Sequence, residues 1–540
     1  MENINIEDME LSAILTPKQA WDNLVQHNEA YYRQYAAEYS GDEAKLAVTA
    51  RPKTFWNRPG KQKTHVPIAA DIAATSADLL FSEEVKFSVF DNVKEVQEGE
   101  KVAGVQKRLE EILRLNRVPE LLNEAAESCS ALGDVYLKIG WELNGPKKCP
   151  VIQIGQADMA WPDYSFGSLK AIHFFTNLQR IKEPSQQKAT IYRAYECYTP
   201  GKIETKIFRG TEDSLGTDVS VPYLENFGIE PETAVPDDSI AAVHIPNIRP
   251  NRMYRSSYMG RSDFDSLRSL MDSLDETYSS WIRDIRLAKA RLIVPVEYLR
   301  RKASDFFPDG EKTPPTFEFD EDVETLVALD ADPDKVGENK ITSSQFAIRA
   351  DEHEKTCLNL ITQIVTGAGY APQTFGINIE GLAQSGTALH IREKKSFKTC
   401  AKKKTYWGDA LEELMTTLLH IDAEIFEAKG SSKDVHVHVR FADAFANDIT
   451  TLATAVELLH RAQAASVEVK VRMLHPDWSE SEIKEEIKRV YTEYGIGIEA
   501  PDASEGDFAD VGGNDGNDSQ KPASVAKDGA GDAQEGTEDD

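Results

Sequence analysis

A run of apolar residues at helical spacing constrains this chain more than any other feature. In RSDFDSLRSLMDSLDETYSSWIRDIRLAKARLIVP, residues Phe264, Leu267, Met271, Leu274, Tyr278, Trp281, Ile285 and Ala288 step by three or four and share one stripe of a helix. Ser262 suits the N-cap, with Asp265 three residues on in the capping-box position. Acids open the segment (Asp263, Asp265) and bases close it (Arg283, Arg286, Lys289, Arg291), which complements the helix dipole. At 1.5 Å per residue such a helix is about 45 Å long, and Pro295 stops it.

The chain then makes a compact insert from Leu292 to about Lys340. It holds the β-branched run LIVPVEYL, the turn-rich FFPDGEKTPP and a strand around Leu326. It returns along a second helix, SSQFAIRADEHEKTCLNLITQIVTGAG, whose stripe is Cys357, Leu360, Ile361, Ile364 and Val365 and whose end is marked by Gly367 and Gly369. Two long helices bracketing a small mixed insert predict a rod with a knob at one end, an unusual shape for a globular enzyme.

Before the rod, Thr16-Pro17 with Gln19 predicts a helix start, and the helix carries Tyr31, Tyr32, Tyr35 and Tyr39 before Ser40-Gly41. A basic loop follows, then a helix after Pro67, a strand at Val85–Phe90, helices at Lys101–Leu115 and Pro119–Leu132, and a strand at Asp134–Glu142. From Val151 to about Val243 alternation and Gly/Pro/Asn punctuation predict a meander of short strands in an α+β region. The loop carrying Arg249, Arg252 and Arg255 delivers the chain to the rod, and those arginines read as surface solvation or local salt bridges.

After the rod, Asn378–Gly386 is a glycine-bounded polar loop. A helix predicted from Thr387 to about Glu427 carries Leu389, Tyr406, Trp407, Ala410, Leu411, Leu414, Met415 and Leu418. Its middle is basic: Lys394, Lys395, Lys398, Lys402, Lys403 and Lys404. That cluster is open to three readings: a solvated face, a pairing with acids of a neighbouring copy, or contact with a polyanion. A strand at VHVHVRF and helices at about Asp448–Ala465 and Ser479–Tyr494, the latter with a Ser479/Glu482 capping box, close the folded part.

Composition narrows the chemistry. The net charge is −30, and from Pro501 onward twelve acids face two lysines among small polar residues, which predicts a disordered acidic tail. The acidic balance argues against a tight grip on phosphates. The N-terminus lacks the basic and apolar regions of a signal peptide, and no run of 18 apolar residues predicts a membrane span. Five dispersed cysteines, with no CxxC, fit reduced thiols. There is no GxxxxGK[ST], GxGxxG, GxSxG or HExxH. His436 and His438 share a strand face near Asp434 and Asp443, but the spacing fixes no third ligand, so neither metal nor cofactor is expected. Acid pairs such as Glu110-Glu111, Glu412-Glu413 and Glu485-Glu486 read as solvated helix faces.

The order of elements, with the helix RSDFDSLRSLMDSLDETYSSW, the insert after ARLIVP, the return helix ending VTGAGYAPQTFG and SGTAL opening a long helix with YWGDALEEL, closely resembles the portal proteins of tailed bacteriophages, in particular those of siphophage type from Gram-positive hosts. The tyrosine-rich helix and ADIAATSADLLFSE are similar as well, and the resemblance covers nearly all of residues 15–495. It implies an α+β, mainly helical fold: 1–260 an N-terminal region and wing, 261–291 and 341–370 two stem helices, 292–340 a clip, 371–445 a tunnel loop with a long kinked wing helix and a wing strand, 446–500 a helical crown, and 501–540 the acidic tail.

The implied function is a ring of about twelve copies at one capsid vertex, the conduit for DNA packaging and ejection. Implied partners are further copies of the chain, double-stranded DNA passing without sequence specificity, the terminase large subunit, the major capsid and scaffolding proteins, and head-completion or adaptor proteins. The place of action is the virion, after assembly in the host cytoplasm. Tunnel-loop residues Asn378, Glu380, Gln384 and Ser385 would meet DNA, and Phe264, Leu267, Met271, Leu274, Tyr278 and Trp281 would pack the stem. The long acidic tail departs from the family's ordinary pattern and reads as a solubility or linker segment, with scaffold binding as the alternative. Two other classes remain open: a metal-dependent nuclease using His436 and His438, and an oligomeric scaffold or adaptor without DNA passage.

Overall fold

The computed structural model describes residues 14–493 apart from 50–55, 57–62, 92–98, 143–146, 183, 185–187, 228–229, 289–290, 294–341, 345–347, 378–385, 427–434, 442–448 and 476–479. It divides into two units, Met1–Ala444 and Phe445–Asp540.

The first unit is α+β. Thr16 caps α1 (Pro17–His27) in a full capping box with Gln19, and a π turn at Asn28–Tyr32 leads into α2 (Arg33–Ser40), which Gly41 ends in the left-handed conformation. A short α3 (Glu43–Thr49), absent from the sequence reading, follows. α4 (Ile68–Phe81) is apolar nearly all round and accordingly buried. β1 (Lys86–Asp91), α5 (Gly99–Asn116), α6 (Val118–Leu132) and β2 (Asp134–Gly140) fall within two residues of their predicted bounds.

The predicted meander is a set of short strands that divides into two sheets. β2 pairs with β3 (Val151–Gln156). A separate antiparallel sheet orders β4 (Ala160–Ser165), β5 (Ser168–Ile181), β6 (Thr190–Thr199), β7 (Lys202–Gly210) and β8 (Thr217–Asp218). α7 (Ser220–Phe227) packs on it, and β9 (Glu232–Ala234) pairs with β7. β10 (Ala242–Pro246), buried throughout, returns to the other side of β2.

The rod differs from its prediction at both ends. α8 spans Arg268–Leu287, 20 residues or about 30 Å, with Leu267 at its N-cap and no side-chain cap. Residues 263–267 are turns, Ser266 having φ 68°, because side chains here are used elsewhere in the fold. Pro295 does not end the helix: it stops at Leu287, and β11 (Arg291–Ile293) pairs antiparallel with β12 (Thr342–Ser344). Ser343 thus lies in a strand, and the second helix, α9, begins only at Ala350 and ends at Ala368. The strand expected around Leu326 lies outside the described residues.

α8 and α9 pack along their apolar stripes. Leu267, Met271 and Leu274 join Cys357, Ile364, Val365 and Ala368 in one core with Tyr31, Tyr32 and Tyr35. Trp281 stacks on His353 at 6.2 Å, and Asp284 accepts hydrogen bonds from Arg349 (2.7 Å) and His353 (3.1 Å).

α10 runs unbroken over 40 residues, Gly386–Ile425, and its C-terminal half forms a second core with β10, α4, α6 and β13 (Val435–Arg440). β13 pairs antiparallel with β1, joining residues about 350 positions apart in the sequence. The second unit is helical: α11 (Ile449–Arg461), α12 (Val467–Leu474) and α13 (Glu480–Glu493) pack in sequence order. α12 was not foreseen. Ser466 caps it, whereas VEVKV alternates like a strand.

Candidate functional site

The base of the rod, the segment leading into the polar loop and the middle of α10 converge on one buried junction. α9 ends on Gly369, held at φ 104° and packed so closely on α10 that a Cβ there would lie 2.9 Å from Thr399 Oγ1. Only glycine satisfies both conditions. Thr399 donates to the Gly369 carbonyl (2.7 Å), the Ala371 amide donates to Ser396 Oγ (2.8 Å), and Thr374 and Ser396 share a hydrogen bond (2.8 Å). The 3₁₀ turn Pro372–Phe375 ends at Gly376 in the left-handed region. The loop therefore departs from a segment stitched to the same helix by which the chain returns at Gly386. Asn378, Glu380, Gln384 and Ser385 themselves lie outside the described residues.

Beneath this frame sits an ion pair that sequence reasoning did not find. Lys403, 1% exposed, donates to Asp263, to Ser76 Oγ (2.6 Å) and to Tyr370 OH (3.0 Å). Asp263 also accepts from Ser130 (2.6 Å), Tyr370 (2.7 Å) and Asn247 (2.8 Å). Burial pushes the Asp263 carboxyl up, but the Lys403 charge and these hydrogen bonds more than offset it and hold its pKa below the ordinary value. A signal did exist: Lys403 lies on the helix stripe of Ser396, Cys400, Trp407 and Leu414, all buried. Read as one more member of a basic cluster, it lost that phase.

A second buried carboxylate lies beside it. Asp134 accepts from Tyr32 OH (2.8 Å), His244 Nε2 (2.8 Å) and the Gly260 amide (2.7 Å). Gly260 approaches so closely that a Cβ would meet Gly133 O at 2.1 Å. The clustered tyrosines each hold this layer: Tyr35 donates to Asp265 (2.9 Å), Tyr39 to Glu127 (2.6 Å), and Tyr31 OH accepts from the Ser262 amide (3.0 Å). At the start of α8, Arg268 Nε binds buried Glu38 (3.0 Å). Burial raises the Glu38 carboxyl to about 7 against the opposing pull of Arg268. Further along, buried Asp275 meets His65 (2.9 Å) and the Val66 amide (2.8 Å).

Of the rod residues singled out from sequence, Phe264, Leu267, Met271 and Leu274 are buried in this layer. Tyr278 is 36% exposed and Trp281 half-buried, and beyond them Ile285 and Leu287 are 48% and 39% exposed. His436 and His438 do share the exposed face of β13, where His438 pairs with Glu412. Among the described residues no group of three or more His, Cys, Asp or Glu could hold a metal ion, and no helix is long and apolar enough to cross a membrane. Arg252 pairs with Asp265 (3.9 Å) and Arg249 lies over the Tyr258 ring, so both arginines make local contacts.

Compared with known families, residues 18–493 match the model described as phage portal protein, SPP1 Gp6-like. No curated protein matches the chain.

Proposed function

This chain belongs to the SPP1 Gp6-like family of phage portal proteins, and on that premise we propose that it closes into a ring of about twelve copies at one capsid vertex. Through that ring double-stranded DNA enters during packaging and leaves at ejection, and terminase and then head-completion proteins dock on it. The role is structural, in the capsid of the virion.

The observation that carries the ring is the division of the α8 stripe. Its first half is buried within the subunit, with Met271 and Leu274 each 1% exposed, while further along it Tyr278 and Ile285 stand open, as does Leu358 of α9. Apolar stripes left open along a helix pair are covered when copies stand side by side. Under this reading residues 1–260 are the wing, α8 and α9 lie in the stem segments 261–291 and 341–370, and 292–340 is the clip. Residues 371–445 supply the tunnel loop, long helix and wing strand, and 446–500 the crown. The loop residues Asn378, Glu380, Gln384 and Ser385 include no lysine or arginine, so they guide DNA without holding its phosphates.

Mass and symmetry of the purified particle test the proposal. From the 60.2 kDa chain, a ring of about 12–13 copies weighs about 0.7–0.8 MDa and shows a central hole in electron-microscope class averages. A monomer or dimer at every concentration overturns it.

A further inference from the structure

The hairpin between β4 and β5 turns on two residues, Phe166 and Gly167, between the paired Ser165 and Ser168. Both are left-handed, with φ 50° and 88°. Two-residue hairpin turns want positive φ at both positions, and Asn-Gly supplies it with little strain. A bulky aromatic residue in the first position is strained. Phe166 is also 97% exposed, more than any other large apolar residue described. The chain thus bears two costs at one site, and no contact within the subunit offsets either.

The surroundings fix this knob in place. Tyr164 at its base stacks on Tyr258 (centroids 4.5 Å apart), and Arg249 covers the Tyr258 ring at 5.0 Å. The loop so attached also exposes Arg252, Met253 and Arg255. The base of the tip is thus tied to Arg249, and the same loop exposes Arg255 and Arg252, the latter also paired with Asp265.

A hole of opposite character lies at the other end of α6. A cavity of about 440 Å³ opens where the end of α4, β1, α5 and the start of α6 meet. Its floor is Phe81, Leu113, Val118 and Leu122. Around the floor four acids, Glu83, Glu84, Glu110 and Glu120, outnumber Arg114 and Arg117. Val118–Leu122 is the first turn of α6. The knob belongs to the opposite end, where Tyr164 bonds His244, which bonds Asp134 just past Leu132. At 1.5 Å per residue the 15-residue helix separates them by about 20 Å, so no copy fills its own cavity.

We propose that Phe166 of one copy enters the α5–α6 cavity of the next, with the arginines around the knob facing the acids around the hole. This rests on the ring reading above and names a contact within it. Knob and hole are different surfaces, so the contact is head-to-tail, the kind that a closed cyclic assembly requires. The strained turn and the exposed ring then have a use that neither has in a single subunit.

Two variants of the full-length protein test it. In the first, Phe166→Cys is combined with Glu84→Cys at the rim and treated with a short bismaleimide. The five native cysteines are all buried, so background is low. The double variant is expected to give a covalent ladder rising to the full ring, and neither single variant to give one. In the second, Phe166→Asn relaxes the turn while removing the knob. The unassembled chain should then melt at or above the wild-type temperature, while the concentration at which half the rings dissociate rises about tenfold or more, the scale of losing a buried aromatic anchor. A merely structural role for Phe166 would not separate these two readouts. Intact rings with no ladder, and Phe166→Asn rings dissociating at the wild-type concentration, overturn the contact and leave the ring standing. Dimers from Phe166→Cys alone mean that tip meets tip and also overturn it. A wild-type chain that is monomeric at every concentration overturns the ring reading and this contact with it.

Discussion

Lys403→Met removes the cation from the junction and leaves its anion in place. Asp263 is buried, with its side chain 0% exposed, and keeps hydrogen bonds from Ser130, Tyr370 and Asn247 but loses its bonded cation. Breaking a buried pair in this way costs about 3–5 kcal/mol, most of it the penalty of an uncompensated charge. For the roughly 370 described residues the unfolding entropy is about 0.8 kcal/mol/K, so the melting temperature should fall by about 4–6 °C at pH 7. The loss also depends on pH with a definite sign. In the wild type the depressed Asp263 pKa stabilises the fold above the unfolded value near 4, and that stability is lost as pH falls through the folded value. In the variant the Lys403 charge no longer offsets burial, and although the remaining hydrogen bonds still oppose it the carboxyl rises, so the deficit is largest at neutral pH and shrinks as acid protonates Asp263. Melting curves of unassembled wild type and variant at pH 4, 5, 6 and 7 read both effects. A drop below about 1 °C at pH 7, or a deficit that does not change with pH, refutes the account of a charged, coupled pair.

Deletion of Asn378–Gln384 should leave ring assembly intact, because the segment before the loop is bonded to Ser396 and Thr399 of the helix that follows it, while DNA retention or packaging fails; a packaging-competent deletion refutes the role given to the loop. Burial pulls the His65 imidazole down, but the hydrogen bond and charge of Asp275 raise it overall. That stability is present below the unfolded value of about 6.5 and is lost as pH rises through the folded value, in the same direction as the buried Glu38 carboxyl at about 7. Burial lowers the His27 and His173 imidazoles, which act in the opposite direction, so the readout is the difference: the melting temperature of wild type relative to His65→Gln should fall between pH 6 and 8, and a difference that stays constant removes His65 from the explanation.

Periodicity carried the parts of the fold in which one face is simply apolar. α9 closes at its glycine, α10 holds its stripe through Trp407, Leu411, Leu414 and Leu418, and β13 alternates buried valines with outward residues. It failed where side chains with local capping value are used over long distances. Ser262 and Asp265 look like a helix start, yet the Ser262 amide donates to Tyr31, Asp265 accepts from Tyr35, and Asp263 belongs to Lys403. No local rule weighs a cap worth about 1 kcal/mol against a buried network assembled from residues more than 100 positions apart. The same blindness moved the end of α8, since pairing of Leu292 with Ser343 is invisible to a pattern that reads toward Pro295. The charge network was equally hidden: identical lysines differ only in the helix face on which they fall.

That difference of face bears on the conduit reading. Of the six lysines on α10, Lys403 is spent on Asp263, Lys395 donates to the Thr366 carbonyl, and Lys404 lies over the Phe441 ring. Lys394, Lys398 and Lys402 are exposed and follow one another at intervals of four, forming a stripe roughly opposite the buried one. Their charge is directed away from the subunit, where another copy or a polyanion can reach. If the stripe lined a channel, each phosphate contact would add affinity and increase the salt slope by about 0.9, multiplied around a ring of about twelve copies. DNA so held would not slide. A chain of net charge −30 offers abundant carboxylates on its neighbours instead. Under the conduit reading the stripe therefore belongs between copies, where attraction closes the ring, while the path of the DNA stays poor in cations.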